Sequence, residues 1–432
     1  MKDELPPGWA VAPLGEITEI NPRHRKGLDD SMPVSFAPMA ALSESKPEFK
    51  FFEERPLGKV RKGFTHFAEG DVLFAKITPC MENGKGAVAT GLRNGLGCGT
   101  TELHVLRPLS GIDRYYLYRF LAQPSVRRQA KENFTGTAGQ ARVPTSFIEQ
   151  LEIPLPPLPE QCRIVAKLEK LLAKVDACQQ RLAKIPILLK RFRKSVLAAA
   201  CFGQLTQKWR EDNRVGNDWQ QVALSDVCRS ITDGDHQAPP KVTRGVPFIT
   251  ISAMNDGMIL LDKATRFVPL AYFNDLKPNR RAERGDVLLS VTGSIGIPAL
   301  VTCNEPFVFQ RHIAILKPNT SRISGQFLAH LLRTETVQRQ ALSVATGTAQ
   351  LTIPLSGLRS FKIDLPPIEE QIEIVRKIDD LFRLADQIEA RCGRAKAYAN
   401  SLTQSILAKA FRGELVPAER ETHEPSLIGN NS

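Results

Sequence analysis

The chain has eight cysteines, but none forms a CxxC pair, and no histidine cluster stands at metal-ligand spacing. Neither a zinc site nor a disulfide framework is expected, and reduced thiols in a cytoplasm are the simple reading. No apolar run approaches the ~20 residues of a membrane span, and the opening MKDELPPGW lacks the apolar core of a signal peptide. A protein of the cytoplasm with no membrane association is the expectation.

Catalytic signatures are missing too. The sequence holds no GxxxxGK[ST] loop for nucleoside triphosphates, no GxSxG, no HExxH and no Asn/Asp-Pro-Pro-Tyr tetrapeptide for amino methylation. None of the seven histidines suggests a partnered acid or nucleophile. The segment FTGTAG at 134–139 superficially resembles an S-adenosylmethionine-binding loop. Such a loop should follow an apolar strand and open a helix. This one follows the polar AKEN and leads through Gln140 and Arg142 to Pro144.

What is present is a duplication. The chain has 432 residues, 42% hydrophobic and 24% charged, enough for two or more ordinary globular domains. LPPLPEQCRIVAKLEKLLAKVDA at 155–177 returns 210 residues later as LPPIEEQIEIVRKIDDLFRLADQ. SVLAAACFGQL at 195–205 and GWAVAPLGEI at 8–17 return at the same offset, the latter pairing Trp9 with Trp219. Between these anchors AEGDVLFAKIT (68–78) echoes AERGDVLLSVT (282–292), and TGTAGQARVP (135–144) echoes TGTAQLTIP (346–354). So many collinear matches require an internal repeat.

Each copy opens with about 155 residues of short apolar runs, such as 71–77 and 286–292, set between Gly, Pro and Asn. That predicts a strand-rich domain with some helix, near 115–129 and 325–342. A long helix follows. Ile164, Leu168, Leu171, Val175, Cys178, Leu182, Ile185, Leu189, Phe192 and Val196 alternate spacings of four and three, as do Ile374, Ile378, Leu381, Ala385, Ile388, Cys392, Ala395, Ala399, Leu402 and Ile406. A 3.5-residue stripe sustained over a helix of about 63 Å is a coiled-coil seam, and each stripe's natural partner is the other. A core helix of an ordinary domain is the blander explanation of either stripe alone. Pro186 should kink the first helix, and Gly393 weakens the second. The expected fold is α+β: two similar, mixed, strand-rich globular domains joined by two long antiparallel coiled-coil helices about a pseudo-twofold axis. The segments expected are 1–155, the helix 156–206, 207–364, the helix 365–416, and a poorly ordered tail 417–432.

The net charge of +12 makes nucleic acid a candidate partner. Residues 1–155 carry +2, 156–206 +7, 207–364 +5 and 365–432 −2. KRFRK at 190–194 is either a solvated helix face or a face against phosphates or an acidic partner. Two diverged domains on a rigid symmetric spacer suit the binding of two different short targets at fixed separation.

LPPLPEQCRIVAKLEKL and LPPIEEQIEIVRKIDDL, each leading to a Ser-(Val/Ile)-Leu-Ala…Gly-(Gln/Glu)-Leu ending, resemble the two conserved regions of type I restriction–modification specificity subunits. KITPCMENGKG (76–86) and GDVLLSVTGSIG (285–296) resemble segments of that family's target-recognition domains. The resemblance covers essentially the whole chain. It implies two target-recognition domains, each reading one half of a bipartite site in double-stranded DNA, with the helices fixing the gap. It also implies a non-catalytic subunit that binds two copies of a methylation subunit and, in a larger complex, restriction subunits. S-adenosylmethionine, ATP and Mg are then expected on those partners, and no cofactor in this chain.

Loops after strands present amides and guanidinium groups to base edges. The candidates are Lys76, Asn83, Lys85, Gln140 and Arg142 in the first domain, and Thr292, Ser294, Gln310, Arg311, His312 and Gln350 in the second. Each competes with an ordinary loop hydrogen bond. Base readers should differ between halves that read different sequences, so the repeated Gly136 and Gly347 are expected to be scaffold. Pro157, Glu160, Gln161 and Pro367, Glu370, Gln371 are candidates for docking the methylation subunits, against plain helix capping. The rival functions are a self-contained methyltransferase or nuclease, a coiled-coil scaffold without DNA binding, and an inactive relative of the specificity subunits.

Overall fold

The computed structural model describes residues 5–137, 140–216, 219–235, 239–255 and 257–417. The tail beyond 417 and the last two residues of FTGTAG lie outside the described residues. The chain divides into two compact units, residues 1–182 with 394–432, and residues 183–393.

In the first unit the apolar run at 71–77 becomes the strand Val72–Ala75, buried at every position. A strand with both faces covered needs no alternation, which is why it reads as continuous hydrophobics. It is central in an antiparallel sheet ordered Thr18–Ile20, Leu103–Pro108, Val72–Ala75, Gly86–Val88. A second sheet is ordered Glu53–Pro56, Pro33–Ala37, Leu96–Gly99, Thr65–Ala68, with the two middle strands parallel.

The second unit repeats the plan. Val287–Ser290, also buried throughout, lies in a sheet ordered Cys228–Asp233, Ile313–Pro318, Val287–Ser290, Pro298–Leu300. Its other main sheet is ordered Arg266–Val268, Val246–Ile249, Val308–Phe309, again with one parallel pair.

The repeated GDV explains itself in this setting. Asp71, almost fully buried at the head of its strand, accepts two hydrogen bonds of 2.9 Å from Arg107 and one of 2.7 Å from the Ala68 N–H. Asp286 accepts from Lys317 and from the Glu283 N–H, both at 2.8 Å. A buried carboxylate needs such partners, and each copy supplies a cation from the neighbouring strand.

The two long helices span Leu158–Cys201 and Ile368–Phe411 and run unbroken through Pro186 and Gly393. Within each unit their segments lie antiparallel. Gln179 donates to Asn400 at 2.9 Å in the first unit, and Arg193 pairs with Asp386 at 2.6 Å and Glu389 at 3.0 Å in the second. Along the stripes, Ile164, Leu168, Val175, Ala399 and Ile406 join the first core and Val196, Ile374 and Ile378 the second, with Leu189, Ala385 and Cys392 also buried. Leu172, Leu197 and Ala200 are buried beside them, whereas Cys178, Ile388 and Ala395 are exposed. Each helix end therefore buries a face wider than a two-residue seam, because it serves as a core helix of its globular domain as well as a partner to the other helix.

The helices expected near 115–129 and 325–342 each break in two, into Arg114–Leu121 and Pro124–Glu132, and into Gly325–Leu331 and Glu335–Val344. In the first copy Pro124 forces Gln123 into extended backbone (ψ 136°), which ends the preceding helix.

Candidate nucleic-acid interface

The strand ends after the buried central strands gather most of the candidate residues. In the first unit the chain leaves Val72–Ala75 through Lys76, whose N–H donates to Glu102 and whose carbonyl accepts from Val143. Ile77 bridges Arg142, and Thr135 exchanges two 2.9 Å backbone hydrogen bonds with Arg142. Lys76, Gln140 and Arg142 thus meet around Glu102. The Arg142 guanidinium grips that carboxylate through two 2.8 Å hydrogen bonds and donates a third to the Gln140 carbonyl. The pairing holds Glu102 below the usual carboxylate range. Asn83 and Lys85 lie apart, on the turn before Gly86–Val88. Asn83 is exposed, and the Lys85 ammonium reaches the Met39 carbonyl at 3.3 Å.

The second unit uses the same frame with other side chains. Thr292 bridges Thr352, their hydroxyls 3.4 Å apart, and Thr346 pairs with Thr352 through two 2.8 Å backbone bonds. Ser294 and Gln350 are exposed on this frame, and a Cβ on Gly293 would stand 3.1 Å from the Gln350 amide nitrogen. The Val291 N–H donates to the His312 carbonyl, which brings 310–312 alongside. Arg311 is exposed there, while Gln310 and His312 are half-buried.

Gly136 (φ +107°) and Gly347 (φ +100°) sit at the turns of these two frames. A Cβ on either would crowd the carbonyl of Gln140 (3.2 Å) or Gln350 (2.4 Å), so both are needed for backbone geometry. The TGT segments are therefore hairpin turns.

The docking candidates divide by exposure. Pro157 and Pro367 are exposed. Glu160, Gln161, Glu370 and Gln371 are buried, the last two completely. Gln161 and Gln371 bond backbone groups of their own unit, and Glu370 accepts from Thr206 (2.6 Å), Trp219 (3.0 Å) and Arg210. The polar atoms of Gln161, Glu370 and Gln371 are turned inward and fasten the helix to its domain. Within KRFRK, Arg193 has its acidic partners inside the chain.

One feature of the first unit was not read from the sequence. A cleft of about 430 Å³ is lined by Asn21, Arg23, Arg61, Lys62, His66 and Lys76, among others. The signal was available as two basic stretches, PRHRK and KVRK, at 22–26 and 59–62.

Among the described residues three thiols are held protonated and no metal cluster is in place. Burial pushes the Cys98, Cys201 and Cys228 thiols up to about 12, which keeps them protonated. No group of three or more His, Cys, Asp or Glu is placed to hold a metal ion. No helix among the described residues is long and apolar enough to cross a membrane.

Comparison with known proteins decides the family. The model for the type I restriction modification DNA specificity domain matches residues 6–186 and again 216–392. The chain belongs to this family. The EcoKI specificity subunit of Escherichia coli K12 is 32% identical in an alignment covering 99% of this chain and 94% of that one. The Escherichia coli EcoBI specificity subunit is 35% identical over 65% of this chain, which spans 62% of that relative. Among solved structures, an HsdS subunit from Thermoanaerobacter tengcongensis superposes with a TM-score of 0.67 at 24% identity, covering 95% of this chain and 98% of that one. That likeness bears on the fold alone. The doubled specificity-domain match coincides with the two units, each carrying its own strand-end frame.

Proposed function

We propose that this chain is the DNA-reading specificity subunit of a type I restriction–modification complex, without catalysis of its own. Each globular domain, 1–155 and 207–364, reads one half of a bipartite duplex target. The helices 156–206 and 365–416 set the gap between the halves and carry the docking surface for two methylation subunits. S-adenosylmethionine belongs to those subunits, and ATP and Mg to restriction subunits where these join. The cytoplasm, where the DNA is, is the compartment this implies.

The observation that carries the reading is the pair of strand-end frames, alike in their backbone bridges and different in most of their side chains. Ile77 and Arg142 in one unit hold the bridge positions of Thr292 and Thr352 in the other, and Lys76 that of Val291, while Gln140 and Gln350 repeat. Repeated backbone with divergent polar side chains is what two readers of different sequences require. Exposure favours Asn83, Gln140, Ser294, Arg311 and Gln350 as the residues that reach DNA, with Lys76, Lys85, Arg142, Thr292, Gln310 and His312 nearer the frame. Pro157 and Pro367 mark the accessible part of the docking surface, and buried Gln161, Glu370 and Gln371 beside them hold the helix starts in place.

The test is an exchange of residues 1–155 for those of a relative with a known target, made in the complex with the methylation subunits. One half of the recognised sequence should change while the other half and the gap stay. A change in both halves, or in the gap, contradicts the assignment of one half to each domain.

A further inference from the structure

The first domain sums to a charge of only +2, yet its cations are not evenly spread. Arg23, Lys62 and Lys76 converge on one cleft, and among the described residues none of the three side chains makes a hydrogen bond or ion pair, although the Lys76 charge acts on nearby Glu102. Arg25 and Lys26 are exposed on the same loop. Arg61, the fourth cation, is already committed to Asp30 (3.2 Å) and to the Leu28 carbonyl (2.5 Å).

The cleft is held open by specific contacts. The His24 N–H donates to His66 Nδ1 at 3.2 Å, and the two rings stack with centroids 4.6 Å apart. His24 Nε2 lies 2.9 Å from the Gly97 carbonyl, and His66 Nε2 lies 2.8 Å from that of Arg61. These contacts tie the basic loop at 21–26 to Thr65–Ala68 and to the turn at 61–62. Uncompensated cations fixed side by side repel one another, and a polyanion relieves that repulsion.

The second unit has basic residues in the matching loops too, with Lys241, Arg244, Lys277 and Arg284 exposed, beside a paired cluster of Asp233, Asp235 and Arg280. Arg280 pairs with Asp235 at 3.2 Å and Asp233 at 3.5 Å, and the Tyr272 hydroxyl donates to Asp235 at 2.8 Å. That cluster is neutralised locally.

We infer that the cleft of Arg23, Lys62 and Lys76 is a seat for DNA phosphates in the first domain. The inference rests on the DNA-reading function proposed above and adds a residue set to it. Phosphate contacts carry no sequence information but dominate affinity and its dependence on salt.

The test measures binding of the full chain to a duplex of generic sequence across a salt series. Substituting R23Q and K62Q together should lower the slope of log K against log salt by about two, one per phosphate contact removed. The charge-keeping pair R23K and K62R should retain the wild-type slope. Both side chains are exposed, so an unchanged unfolding midpoint checks that the variants fold. Wild-type binding with the same slope in the R23Q/K62Q variant overturns the cleft assignment alone. A wild-type chain that binds no duplex overturns the cleft and the DNA-reading function together.

Discussion

Gln161 and Gln371 make the same three hydrogen bonds in their respective units. Gln161 Oε1 accepts from the Asp113 N–H at 2.8 Å, and its amide donates to the carbonyls of Gly111 (3.1 Å) and Pro156 (2.9 Å). Gln371 accepts from the Ser324 N–H at 3.0 Å and donates to Arg322 (2.8 Å) and Pro366 (3.0 Å). In each case one buried side chain joins the first turn of the long helix to the loop that starts a domain helix.

Each of these glutamines should therefore matter for stability. Q161A or Q371A leaves three backbone groups without their partner and should cost about 2–4 kcal/mol in chemical denaturation. A loss below about 0.5 kcal/mol, the level of an ordinary surface substitution, would contradict the role.

Glu370 anchors a second buried knot. Its side chain is wholly enclosed, and Arg210 beside it is 10% exposed, so removing one partner strands the other's charge. R210M should destabilise the chain by about 3–5 kcal/mol, whereas replacing both residues with apolar ones of similar volume should recover most of the loss. Equal destabilisation by the single and double variants would contradict this.

Stability should also fall in mild acid, through the first unit. Burial holds His104 below its ordinary 6.5, neutral, with Nε2 2.8 Å from the Val143 carbonyl. His24 is lowered too, by burial first and then by His66. A lowered folded pKa means that the unfolded chain takes up the proton first as pH drops through 6.5. The stabilisation is complete above that pH and is lost below it, by at most about 1.4 kcal/mol per pH unit for His104. Denaturation midpoints of the wild type and H104N should diverge less at pH 5.5 than at about 7.5. A constant difference between the two would contradict it.

Much of this architecture was legible in the sequence. The 210-residue repeat and the two apolar stripes gave the duplicated plan and both long helices, because periodicity survives without knowledge of tertiary partners. What stayed hidden depends on residues far apart in the chain. Glu102 and Arg142 meet across 40 positions, and the basic stretches at 22–26 and 59–62 meet only when loop and turn fold together. Segment charge averaged that cluster away. The inward turn of Glu160 and Gln161 was equally invisible, since the partners of Gln161 are backbone groups at 111 and 113. The exposed stripe positions have the same origin: burial of Cys178 or Ile388 depends on what packs beside the helix, which spacing does not encode.

Arg142 gives a prediction on DNA itself. Its guanidinium is already held by Glu102 through two 2.8 Å hydrogen bonds, so in this state it serves the frame. E102Q removes the charge that retains it. The released guanidinium should strengthen duplex binding at low salt and steepen the salt dependence by about one. Binding unchanged in both respects would assign Arg142 to the frame even when DNA is present.

The central claim, one bipartite sequence read by two domains, is tested most directly by a genome-wide adenine-methylation map of the source cells with and without this gene. The account predicts that a single split motif, two short half-sites around a fixed gap, is methylated in the parent and vanishes on deletion. If no motif changes while this chain and its methylation partner are both expressed, the claim is contradicted.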